Sequence, residues 1–179
     1  MDKETIEKFD LRQFLKSWVL PLAAEIAVLL VIFNFVINIT YVPSGSMIPT
    51  IAEHSVLISL REYNTEELQR GEIYSFHSDE LDKTLIKRLI GLPGETVRIE
   101  GNGNIYINDE RLDEPYVKNQ EYGYTGTFVV PEGHYLFLGD NRSGSNDARF
   151  WEEPYIASEE VISRAVFTLF PFSNFGPLE

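Results

Sequence analysis

From Ile26 to Val42 the chain reads IAVLLVIFNFVINITYV, interrupted only by Asn34, Asn38 and Thr40, and Trp18 to Ala24 extend the apolar stretch upstream. A helix needs about 20 such residues to cross a bilayer, so residues 18–42 predict one membrane-spanning anchor. Two other readings compete. Glu25 and the two asparagines would suit a buried helix of a soluble protein, against which the length of the run weighs. A cleaved secretory signal would need a small-x-small site at its end, and Ile39-Thr40-Tyr41 does not supply one. Lys3, Lys8, Arg12 and Lys16 precede the span, and the next basic residue, Arg61, lies well beyond it. The positive-inside rule therefore predicts a cytoplasmic tail over residues 1–17 and an extracytoplasmic body over residues 43–179. Glu25 falls near the cytoplasmic interface, where a carboxylate reaches headgroup water, and is given no role.

The body reads as mainly β. Short runs bounded by turn signals cover Ser55 to Leu60, Glu72 to Phe76, Thr84 to Ile90, Thr96 to Glu100, Ile105 to Asn108, Phe128 to Val130, His134 to Leu138 and Val161 to Phe170. Gly101-Asn102-Gly103-Asn104 is a hairpin turn between strands carrying Val97/Ile99 and Ile105/Ile107. Thr65 to Gln69 and Ala157 to Val161 read as short helices. Residues 109–127 are polar with few aliphatics, so residues 101–127 are expected to form a short, insertion-like excursion from the core. Phe167, Phe170, Phe172 and Phe175 read as core packing ahead of a membrane-facing surface.

Composition narrows the chemistry. A net charge of -13 argues against nucleic acid as a partner, since duplex binding draws on a basic surface. With no cysteine, disulfides, thiolate metal sites and thiol nucleophiles are excluded together. No metal-ligand spacing is present, and neither a metal nor another cofactor is expected.

Pro43-Ser44-Gly45-Ser46-Met47-Ile48-Pro49-Thr50 follows the apolar run. Alone it is as readily a juxtamembrane turn as a catalytic segment, because Ser, Gly and Pro are turn formers. A serine hydroxyl becomes a useful nucleophile only when a base takes its proton. His54, His77 and His134 lack an evident Ser/Asp context, and the GxSxG elbow is absent. A lysine can serve if burial or neighbouring positive charge keeps its amine neutral. In Thr84-Leu85-Ile86-Lys87-Arg88-Leu89-Ile90, strand alternation puts Lys87 on one face with Leu85 and Leu89. That apolar face would desolvate the amine, although an edge strand guarded by Lys and Arg would read the same way. A third segment, Gly139-Asp140-Asn141-Arg142-Ser143-Gly144-Ser145-Asn146-Asp147-Ala148-Arg149, follows the apolar strand Tyr135 to Leu138. A turn-rich loop at a strand end is a common place for site residues and for ordinary turns alike.

Taken together, PSGSMIPT, LIKRLIGLPGE and GDNRSGSNDAR resemble, in order and behind an N-terminal anchor, the three boxes of the bacterial type I signal peptidases. The resemblance extends from the anchor to about Phe172. It implies a strand-rich, signal-peptidase-like catalytic domain behind one N-terminal transmembrane helix, and a membrane-bound serine endopeptidase that removes signal peptides after a small-x-small motif. It implies Ser46 as nucleophile and Lys87 as general base, with the Ser44 hydroxyl and the Ser46 backbone N–H as oxyanion hole. Ser145 would orient the Lys87 ammonium, Asp147 and Arg149 would form a supporting ion pair, and Asp140 and Arg142 would be structural companions. Val42 and Ile86 match positions lining shallow pockets for small P1 and P3 side chains. Alternation places Ile86 opposite Lys87, so its pocket role calls for a twist or bulge. The implied partners are signal peptides of secreted preproteins, the lipid bilayer and an export translocon nearby, with no nucleic acid, and the implied location is the cell membrane. Ser143-Gly144 and Ser163-Arg164 depart from the usual pattern. A self-cleaving repressor with the same dyad would be soluble with a DNA-binding head. A catalytically inactive, membrane-anchored binding protein of the same fold is the alternative from another class.

Overall fold

The computed structural model describes residues 11–178; Lys3, Lys8 and the rest of the expected tail up to residue 10 lie outside the described residues. Two compact units divide the chain after Ile37. The first is a helix, α1 (Leu11–Phe35), with one π-helical stretch at Leu15–Val19. It is apolar on every side and none of its described residues is buried, as suits a helix meant for lipid rather than for a protein core. Its length and composition suffice to cross a membrane.

The helix lies earlier than residues 18–42. Ile37-Asn38-Ile39-Thr40-Tyr41-Val42 leaves the helix and forms strand β1 (Ile37–Val42). The physical reason is visible in the residues: polar and apolar positions alternate, and β-branched side chains are stiff in helices and pack well on a pleated surface. Hydrophobicity alone had merged two elements into one run.

The second unit holds β1 together with β2 (Ser55–Arg61), β3 (Ile73–Ser78), β4 (Lys83–Gly91), β5 (Thr96–Ile99), β6 (Ile105–Ile107), β7 (Glu110–Arg111), β8 (Gly126–Val129), β9 (His134–Leu138), β10 (Tyr155–Ala157), β11 (Val161–Phe170) and β12 (Gly176–Pro177). The larger sheet runs β1-β2-β11-β3-β4-β9-β10, with β12 added to β11; the smaller runs β7-β6-β5-β8. The fold is mainly β, as the alternating runs predict. Thr65 to Gln69 forms turns instead of a helix, and only Ser158–Glu160 of the second expected helix coils, as one 3-10 turn. Residues 101–127 are more than an excursion, since they supply β6, β7 and the start of β8.

Two apolar clusters result. One lies where the smaller sheet's Val97, Ile99, Ile105, Ile107 and Phe128 meet Leu89, Leu136 and Phe137 of the larger, with Phe76 and Phe137 stacked at 4.4 Å. The other gathers Val42, Met47, Ile51, Leu57, Ile73, Ile86 and Ala165. β4 is therefore buried on both sides from Ile86 onward, which removes the edge-strand reading of Lys87 and Arg88. Phe170, Phe172 and Phe175 are exposed rather than in the core, and they pair as Phe170–Phe172 and Phe167–Phe175.

Candidate active site

The turn after β1 is fixed from below and from the side. Met47 and Ile51 are buried in the second cluster, and Ile51 N–H donates to the Met47 carbonyl at 2.9 Å. These apolar anchors hold Ser46, only 6% exposed, at the mouth of the cluster. Lys87, in the middle of β4, brings its amine to 2.8 Å from Ser46 Oγ. The same Nζ donates to the Ile86 carbonyl at 3.0 Å.

Lys87 is 3% exposed. Burial lowers its amine from the usual lysine range to about 8, and Asp147 and Asp140 oppose that shift by favouring the cation. Each of those carboxylates is matched by an arginine. Arg88 grips Asp140 with two bonds, at 2.9 and 2.6 Å, and Arg149 grips Asp147 at 2.7 and 2.9 Å. Both pairs are almost entirely buried. Bidentate pairing satisfies the carboxylates' lone pairs, so no bare acid nearby demands the charge of the Lys87 amine.

The loop after β9 approaches the Ser46 turn at close quarters. A Cβ on Gly139 would stand 2.6 Å from the Ser46 carbonyl oxygen and 2.2 Å from Ser145 Oγ, so only glycine fits. Asn141 then fastens the turn: its backbone N–H donates to the Ser46 carbonyl at 3.0 Å, and its Nδ2 to the Gly45 carbonyl at 2.9 Å. Sequence reasoning passed over Asn141. Its signal was present as an Asn in a Gly-Asp-Asn loop at a strand end, but its partners lie on a turn far away in the chain.

Asp140 and Arg142, expected as structural companions, each take a separate partner. Asp140 serves Arg88 and accepts from Thr50 Oγ1 at 2.5 Å, whereas Arg142 forms a buried fork on Glu114, at 3.0 and 2.6 Å. Tyr116 donates to Glu114 at 2.9 Å and lies over Arg88, 3.8 Å from the guanidinium to the ring centre. Burial and the adjacent Glu114 push the Tyr116 hydroxyl pKa upward. The polar stretch between β7 and β8 is thus a brace against Arg88 of β4 and Arg142 of the loop after β9, and neither Glu114 nor Tyr116 could be singled out from sequence.

Ser44 Oγ lies 3.4 Å from Ser46 Oγ, a long contact, and among the described residues Ser46 N–H has no hydrogen-bond acceptor. Ser145 is buried with its hydroxyl unpartnered, so the expected bond to Lys87 is not made in this arrangement. Val42, Ser44, Ile86 and Lys87 line one cleft of about 290 Å³ between β1 and β4. Ile86 reaches it with no bulge, because pairing with β3 is unbroken from Lys83 to Arg88. Lys87 instead bends its amine back to the carbonyl of Ile86. Among the described residues no cluster of His, Cys, Asp or Glu could hold a metal ion.

A hydroxyl and a desolvated amine in contact, on a β scaffold with an adjoining cleft, define a hydrolase-type site. The family described as signal peptidase, peptidase S26, matches residues 15–170. The chain is 38% identical over 154 residues to a signal peptidase I of Leptolyngbya laminosa, covering 81% of this chain and 74% of that protein. It is 30% identical over 184 aligned residues to signal peptidase IB of Staphylococcus aureus strain Mu50, covering 92% and 94%. A crystallised signal peptidase I of Enterococcus faecalis V583 is 36% identical, with a TM-score of 0.47, covering 53% of this chain and 93% of that chain. The chain belongs to the signal peptidase, peptidase S26, family and is a serine endopeptidase of that family; the anchor reading is consistent with this membership. The inactive-binder alternative gains no support from these relatives.

Two variants check this electrostatic account. Arg88→Met leaves Asp140 buried without its partner and should destabilise the protein by about 3–5 kcal/mol in denaturant titration. Lys87→Met should do the reverse. The lysine's folded pKa lies below its unfolded one, so the folded state disfavours the cation fully below pH 8, and stability recovers as pH rises from about 8 to 10.5. Removing it should stabilise the protein at pH 7 by up to about 3 kcal/mol.

Proposed function

We propose that this peptidase cleaves signal peptides from exported preproteins with Ser46 as nucleophile and Lys87 as general base. The observation that carries the reading is the 2.8 Å contact between a buried amine of lowered pKa and the Ser46 hydroxyl. Neutral Nζ takes the Oγ proton as Oγ attacks the scissile carbonyl carbon. The oxyanion that forms would be stabilised by the Ser46 backbone N–H and by the Ser44 hydroxyl. Collapse breaks the C–N bond, Nζ returns the proton to the leaving amine, and the signal peptide remains as an ester on Ser46. Water then gives a proton to Nζ as its oxygen attacks the ester carbon, and Nζ passes that proton to Oγ as the C–Oγ bond breaks, freeing the signal peptide and restoring Ser46.

An ammonium carries three N–H bonds, and Ile86 accepts one. Ser145, buried and unpartnered, is proposed to accept another when the amine is charged, which would orient the base in each half-reaction. Asp147 and Arg149 support the loop, with Asp140 and Arg142 doing so through Arg88 and Glu114. Val42 and Ile86 narrow the cleft near the dyad, favouring small P1 and P3 side chains such as Ala-x-Ala. The helix α1 is proposed to anchor the protein once in the cell membrane, N-terminus in the cytoplasm and catalytic unit outside, near the export translocon. There a substrate that is itself an apolar helix would arrive at the bilayer.

Purified protein incubated in detergent with an exported precursor should release a mature chain whose new N-terminus follows a small-x-small sequence. Ser46→Ala and Lys87→Ala should each abolish release while the protein still melts cooperatively; substantial turnover by either would remove the dyad. Ser145→Ala should lower kcat more than it alters KM. Because only the neutral amine accepts a proton, kcat/KM should rise tenfold per pH unit below about 8 and level above it. Chelators should leave the rate unchanged.

A further inference from the structure

The cleft beside the dyad changes chemistry along its length. Near the dyad it is lined by Val42 and Ile86, which belong to the apolar cluster that also holds Ile73 and Ala165. Two residues further back on each strand the floor turns polar. On the same side of the sheet as Val42 lie Thr40 and Asn38; behind Ile73 lies Ser75; behind Ala165 lies Ser163; behind Leu57 lies Ser59. These side chains are joined to one another: Asn38 Nδ2 donates to Ser163 Oγ at 3.3 Å, Ser163 and Ser75 hydroxyls meet at 2.7 Å, and Thr40 and Ser59 at 3.1 Å. Asn38, Thr40, Ser75 and the exposed Thr84 line the cleft itself.

Such a row is out of keeping with a sheet interior used only for packing. Ser59, Ser75 and Ser163 are at most 1% exposed, and hydroxyls at that depth are retained at a desolvation cost. Valine or alanine would fill the same strand positions without it. Each hydroxyl in the chain also has acceptor capacity beyond the bonds it makes, since an oxygen with two lone pairs and one rotatable hydrogen adapts to a new partner. β1 and β4 belong to one sheet with β2, β11 and β3 between them, and the hairpin from β1 to β2, closed by His54 N–H on the Val42 carbonyl, followed by three antiparallel pairings makes them run in the same direction. Both therefore lead toward the dyad from the polar end.

We propose that this row is a subsite for a small polar side chain of the substrate at P5, so that the enzyme reads the polar spacer between a signal peptide's apolar core and its cleavage site. The inference rests on the reading of the cleft as the substrate groove. An extended peptide advances about 6.6 Å for every two residues, and its alternate side chains share a face. If P1 and P3 face Val42 and Ile86, the next side chain on that face is P5, and it meets Thr40, Ser75 and Asn38. A Ser, Thr or Asn there exchanges hydrogen bonds with the row. A Leu or Val there adds no hydrogen bond and shuts water off the half-buried Asn38 and Thr40 and the exposed Thr84, and a site built for hydrogen bonding rejects an apolar analogue more strongly than an apolar pocket rejects a polar one.

The test is a set of preproteins identical except at P5, carrying Ser, Asn, Ala, Val or Leu, cleaved by the full-length protein in detergent. Ser and Asn should exceed Leu and Val in kcat/KM by about tenfold, with cleavage at the same bond. A second arm uses the Thr40→Val and Asn38→Leu variants, each checked for an unchanged melting transition, and should shrink or invert the Ser-to-Leu ratio. Cleavage with equal rates for Ser and Leu at P5 would overturn the subsite while leaving the dyad standing, as would an unchanged ratio in both variants. Loss of cleavage for every substrate would instead strike the catalytic reading on which the subsite rests.

Discussion

Everything at the site depends on one amine kept out of water. A lysine in bulk solvent is a cation and cannot take a proton from serine; the same lysine buried in the middle of β4 holds its charge poorly. The fold therefore has to solve a conflict. It must bury Lys87 deeply enough to make the neutral form accessible, while packing Asp140 and Asp147 nearby to hold the loop after β9. It does so by giving each carboxylate its own two-pronged arginine. Arg88 is next to Lys87 in sequence, so one strand delivers the amine to Ser46 and, on its other face, the counter-charge to Asp140.

The remaining architecture can be understood as support for that contact. Gly139 lets the loop come within touching distance of the Ser46 carbonyl, and Asn141 bonds to the carbonyls of Gly45 and Ser46 in the turn. The brace through Glu114 and Tyr116 reaches the same two loops through Arg142 and Arg88. Positioning of this kind matters because a nucleophile and a base must share a geometry within fractions of an ångström for proton transfer to accompany attack. The smaller sheet, which carries no proposed catalytic group, is then explained as the wall against which the brace and β9 are packed.

How much of this could be read from the residues follows from which interactions are local. The strand bearing Lys87 was legible because alternation and an apolar neighbourhood are local, and so were the Ser46 turn and the β5–β6 hairpin, whose Gly103 adopts φ +84. The boundary between α1 and β1 was not, since Ile, Val and Tyr satisfy both a membrane helix and a strand and only their alternation separates the two. The partners of Asp140 and Arg142 were not legible either. Charge pairing across a fold is decided by which loops meet, and Glu114 and Arg88 are distant in sequence from the acids and bases they serve or replace. The polar floor of the cleft was hidden for the same reason: Asn38, Ser75 and Ser163 form a row only when four strands lie side by side.

The central claim is that burial lowers the Lys87 amine to about 8, which brings its neutral form within reach, and its titration can be watched directly. In protein labelled at lysine Cε with carbon-13 and held in detergent, one lysine resonance, absent from Lys87→Met, should titrate with a midpoint near 8. The other lysines should titrate close to the ordinary value of about 10.4. A Lys87 resonance that titrates with those others, near 10 or above, would contradict the account.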